Sequence, residues 1–189
     1  MLEVIEEAGR ICYLSEPKGD PEGFIRRLIK SKHESVLEHA SLTVDIVTDR
    51  AIANELVRHR LNSFSQESTR YVCYAQAKFD GISVVMPTFR NITPEILTTW
   101  RKAVEAAEEA YIALVGAGAT AQEARSVLPL CTKTVLRMSG NIRHWRTVLL
   151  QRTAKAAHPD LRDLMLCLLE DLQLSDYGCL FDDIEVDWS

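Results

Sequence analysis

Residues 58–71 read RHRLNSFSQESTRY: three arginines, one histidine, three serines and a threonine in fourteen positions. Arginine presents a planar fork that binds two phosphate oxygens at once, and small hydroxyl residues add further donors. The segment therefore has the chemistry of a small-anion site. A helix predicted over 50–62 places Glu55, Arg58, His59 and Asn62 on one face, at i, i+3, i+4 and i+7. Ile52, Ala53, Leu56 and Val57 fall on the other face, and Arg60 lands among them. A guanidinium buried there needs a partner or a ligand, because an unpaired buried charge is costly. Two plainer readings stay open. Arg58 pairs with Glu55 on a surface helix while Arg60 snorkels, and SFSQESTRY is only a polar turn.

A second arginine shares an apolar stripe far along the chain. In a helix starting at Asn141, Trp145, Val148, Leu149 and Arg152 line up, as structural ion pair or as ligand contact. The segment KHESVLEH carries His33 and His39 with Glu34 and Glu38 between them. It is not the HExxH zinc pattern, because Leu37 stands where the second histidine is required. No metal is assigned. The sequence holds no GxSxG, no P-loop and no GxGxxG, so nothing supports hydrolase-elbow, Walker-type or Rossmann chemistry.

These residues need a scaffold of helices and a few strands. Helices are predicted over 2–13, 22–31, 50–62, 93–115, 121–126, 141–157 and 158–172, with Asp49, Thr93 and Asn141 as caps. Strands are predicted over 40–48, 81–87 and 130–140. That order has no regular βαβ rhythm, so the expected class is α+β. The 189 residues suit a single domain over 1–189. No apolar stretch is long enough for a bilayer and the start lacks a signal-peptide pattern. Five scattered cysteines without a CxxC pair fit reduced thiols in a cytoplasm. A formal net charge of -5 argues against broad nucleic-acid binding. The basic cluster is local, which suits a small ligand.

The motif resembles the signature of the flavin-dependent thymidylate synthases: RHR, seven residues, serine, then arginine and tyrosine. Arg58, His59, Arg60, Ser68, Arg70 and Tyr71 stand at that spacing. HESVLEHASLT, ARSVLPL and GNIRHWRTVLLQR are similar to flanking family segments, and the likeness runs from Ala8 to Arg162. The resemblance implies an antiparallel sheet with long helices. It implies reductive methylation of dUMP to dTMP, with methylenetetrahydrofolate as carbon donor and FAD relaying a hydride from reduced nicotinamide, assigned as NADPH. It further implies a homotetramer with shared active sites, binding dUMP and folate but neither nucleic acid nor membrane.

By the same resemblance, His33, Ser35, Arg58, His59, Arg60, Gln66, Asn141, Arg143 and Thr147 contact FAD. Glu55, Arg58, Gln66, Glu67, Ser68, Thr69, Arg70, Arg125 and Arg152 contact dUMP, and Arg152 is the catalytic residue that activates the uracil ring. Three departures stand out: Glu55 where a glutamine is often found, Gln66 where some relatives have glutamate, and Thr147 in place of asparagine. Relatives usually have a first strand ahead of GRICY, and its absence implies either an unpaired sheet edge here or a missing start. The departures leave an inactive flavin- or nucleotide-binding relative as the alternative, and the basic loop leaves a small nucleic-acid-binding module as a further one.

Overall fold

The computed structural model describes residues 1–77, 79 and 81–186. The chain forms helices α1 (Leu2–Tyr13), α2 (Pro21–Lys30), α3 (Arg50–Leu56), α4 (Pro94–Gly116), α5 (Ala121–Ala124), α6 (Ile142–Arg152) and α7 (Pro159–Gln173). Strands β1 (Ser41–Asp49), β2 (Ser63–Gln66) and β3 (Lys133–Asn141) make a small antiparallel sheet in the order β1-β3-β2. The class is α+β, as expected, and β1 and β2 are the sheet edges.

Capping chemistry sets the helix starts. Asp49 accepts a bond from the Ile52 N–H, Thr93 from Ile96 and Asn141 from His144, each satisfying a first-turn donor that has no partner inside the helix. Pro94 and Pro159 stand at first-turn positions, where their lack of an N–H costs nothing.

The chain divides into two compact units. One comprises Met1–Val44, His59–Ser63 and the chain from Met138 onward. Its core holds Ile5, Ile25, Leu37, Ile142, Trp145, Leu149, Leu161 and Phe181, all fully buried. The Trp145 indole N–H donates to the Leu42 carbonyl at 3.0 Å, so α6 is fixed by hydrogen bonding as well as by packing. The other unit comprises Asp45–Arg58 and Phe64–Arg137. There Tyr74, Tyr111 and Ala124 form a buried cluster under Val72, Ile82, Val115 and Leu128.

Three expectations are corrected. Helix α3 ends at Leu56 and not near Asn62, so residues 57–61 turn. Arg60 is therefore exposed instead of lying on an apolar helix face, and His59 is the buried member of the triplet. Ser63–Gln66 is a strand and not part of a loop. Residues 81–87 make only an isolated bridge, Val84 to Thr132, with backbone bonds from Val85 to Cys131 and from Lys133 to Ser83. Pro87 lacks the donor that would extend the ladder.

Candidate functional site

In the second unit the serine-rich segment is a tight turn at the end of β2. The Glu67 N–H bonds the Val135 carbonyl at 2.9 Å, and the Tyr71 and Val72 N–H groups both reach the Ser68 carbonyl. The Arg70 N–H meets the Ser68 hydroxyl at 3.3 Å. Thr69 is buried, and its hydroxyl accepts from Arg125 at 3.5 Å. The Arg70 guanidinium donates to Gln122 at 2.9 Å. Two exposed guanidinium groups and two hydroxyls thus gather around one turn. Beneath it, the Glu67 carboxylate accepts from the Tyr74 hydroxyl at 2.5 Å, and Arg50 donates to the Glu67 carbonyl at 3.0 Å. Burial and the adjoining carboxylate push the Tyr74 hydroxyl up to about 12, so it stays a donor. Gln66 donates to Thr134 at 3.3 Å. Glu55 is half-buried on α3, and Arg58 is exposed just beyond it.

In the first unit a cavity of about 330 Å³ is lined by Glu38, Leu61, Asn141, Arg143, His144 and Thr147. The Asn141 side chain caps α6, Arg143 pairs with Glu38 at 2.5 Å, and the Thr147 hydroxyl bonds the Arg143 carbonyl. The structure thus brings Asn141, Arg143 and Thr147 together. It also joins His59 to Arg152, whose Nε donates to His59 Nε2 at 2.9 Å. Burial, then Arg152 and His144, hold the His59 imidazole down to about 4, so it is neutral at physiological pH. His33 and Ser35 are exposed at the start of the turn Glu34–His39, which also carries Glu38, and the Tyr13 hydroxyl meets His33 Nδ1 at 2.8 Å.

Charge distribution sharpens the picture. Among the described residues, Arg10, Arg26, Arg27, Arg137, Arg143 and Arg146 form ion pairs. None of these pairs includes Arg58, Arg60, Arg70 or Arg125. In a chain with more acids than bases, these exposed guanidinium groups suit an anionic ligand. Buried polar atoms point the same way: both side-chain polar atoms of Asn62 and the Nε2 of His144 lack protein partners. Such groups are costly unless a ligand or water satisfies them. The donor set fits a polar, phosphate-bearing cofactor.

The model of the thymidylate synthase complementing protein family matches residues 1–174. A flavin-dependent thymidylate synthase of Mycobacteroides abscessus is 35% identical, the match spanning 97% of this chain and 79% of that protein. Its namesake in Geobacter sulfurreducens is 34% identical over 86% of this chain and 73% of its own length. This chain belongs to the flavin-dependent thymidylate synthase family. Within that family frame, several partners were not evident from sequence. His144, which packs edge-on against His59, is one of them. Tyr74 stands only seven positions from Glu67, but across a turn without a regular period, whereas Gln122 lies 52 positions from Arg70 and carries no local signal. The same holds for Tyr13 on His33.

Proposed function

We propose that this member of the flavin-dependent thymidylate synthase family converts dUMP to dTMP by reductive methylation, with methylenetetrahydrofolate as carbon donor and NADPH as reductant. The observation that carries the reading is the turn at 68–70 with its hydroxyls and its guanidinium groups, none in the ion pairs above. Ser68, Thr69, Arg70 and Arg125 hold the nucleotide phosphate, as charge-assisted bonds from a fork and hydroxyls would. Glu55, Arg58, Gln66 and Glu67 line the nucleotide, with Glu67 held in place by Tyr74.

His33, Ser35, Arg58, His59, Arg60, Gln66, Asn141, Arg143 and Thr147 hold FAD. When bound, FAD supplies the redox chemistry that links the nicotinamide to the transferred carbon. The chain's own task is to make the uracil ring nucleophilic. Arg152 does this by stabilising negative charge as it develops on the ring. Its half-buried place at the end of α6, beside buried Val148 and Leu149, lowers the local dielectric and strengthens that effect. No thiol is needed. Burial pushes Cys179 up to about 11 and raises Cys131, so both stay protonated and weakly nucleophilic.

We take residues 1–189 to act as one domain in a cytoplasmic homotetramer with shared sites, without nucleic acid. Among the described residues no helix is long and apolar enough to cross a membrane. The test is direct turnover. Purified protein with FAD, NADPH, methylenetetrahydrofolate and dUMP should form dTMP, and omission of any one should stop it. Flavin binding without dTMP formation would reject the reading.

A further inference from the structure

Arg152 reaches His59 through Nε, at 2.9 Å from the ring Nε2. A guanidinium offers five N–H donors and no acceptor. His59 must therefore present a lone pair at Nε2, which makes the ring neutral with its proton on Nδ1. The ring is held where it is. His59 is 8% exposed, and the His144 ring packs against it edge-on, at 6.1 Å between centroids. Arg152 follows a buried stripe of Trp145, Val148 and Leu149 on α6. A long, rotamer-rich side chain is thereby tied near its head to a rigid acceptor.

We propose that His59 is a positioning residue for Arg152, its Nδ1–H tautomer gripping the guanidinium at Nε and fixing the plane in which Arg152 meets the uracil ring. This rests on the dUMP reading above. It gives His59 a task beyond a flavin contact, and leaves only Nδ1–H as its donor toward any cofactor. Misplacing a catalytic group by an ångström costs on the order of a hundredfold in rate.

Two measurements test this. In protein labelled with ¹⁵N-histidine, the resonance lost in His59→Gln identifies His59. Its wild-type nitrogen shifts should show an unprotonated Nε2 and a protonated Nδ1. In kinetics, His59→Leu should lower kcat about a hundredfold. The dUMP concentration that half-saturates the flavin absorbance change should move less than about threefold. His59→Gln keeps an acceptor and should recover about tenfold of the loss. An active wild type with Nε2–H, or a leucine variant as fast as the glutamine one, overturns the proposal while leaving the dUMP reading intact. A wild type that forms no dTMP removes the reaction and the proposal with it. The tautomer is read on wild-type protein, so a leucine variant that fails to fold does not shield the proposal.

Discussion

At the scale of single residues, the chemistry turns on keeping an imidazole neutral beside a guanidinium. His59 titrates at about 4 in the folded chain against an ordinary 6.5, because burial and then Arg152 and His144 oppose its charged form. His144 is lowered too, by burial. Between those limits the unfolded chain binds the proton that the folded chain refuses. This contribution to stability is therefore full above about pH 6.5 and is lost as pH falls towards 4. A shift of that size corresponds to roughly 3 kcal/mol. Urea unfolding of flavin-free protein between about pH 7.5 and 4.5 should show the loss, and His59→Gln should flatten that part of the profile. An unchanged slope in the variant would mean that His59 titrates normally.

At the scale of elements, α6 is both the arm of the site and the anchor of the C-terminal segment. Arg146 is 4% exposed and donates to both carboxylate oxygens of Asp183 at 2.7 Å, with the Leu180 carbonyl and Glu34 also in reach. Asp183→Ala strands a buried guanidinium and should cost about 3 kcal/mol, read as a lower urea midpoint at unchanged m. A loss below about 1 kcal/mol would show that Glu34 and the carbonyl suffice. What the sequence made legible at this scale is local. Asp49, Thr93 and Asn141 announce their helices because a cap acts within three residues of itself. Apolar periodicity placed Arg152 on the stripe of Trp145 and Val148. The end of α3 was not legible. Apolar spacing continues through Val57, but the turn that follows buries His59 against a residue 93 positions away. The isolated bridge at Val84 depends on pairing with Thr132, and the strand Ser63–Gln66 on pairing with β3, which no short window reveals. At the site, residue types were legible, whereas the Gln122 and Tyr13 partners lie 52 and 20 positions away and Tyr74 reaches Glu67 across an irregular turn.

At the scale of the whole molecule, an acidic chain leaves Arg58, Arg60, Arg70 and Arg125 exposed. Arg60 belongs to the first unit, and Arg58, Arg70 and Arg125 to the second. In the proposed tetramer, Arg152 and Arg70 from different chains serve one site. Each variant alone should be inactive, yet exchanging Arg152→Ala with Arg70→Ala subunits should recover about a quarter of wild-type activity, since random mixing rebuilds one site in four. No recovery among demonstrably mixed tetramers would place both residues in the same chain. The central claim is that one protein holds flavin and dUMP together, and the most direct measurement is visible absorbance with FAD added and dUMP titrated in. A bound-flavin spectrum that dUMP shifts in a saturable way is expected. A protein that stays colourless once excess FAD is removed, or whose flavin spectrum ignores dUMP, would contradict it.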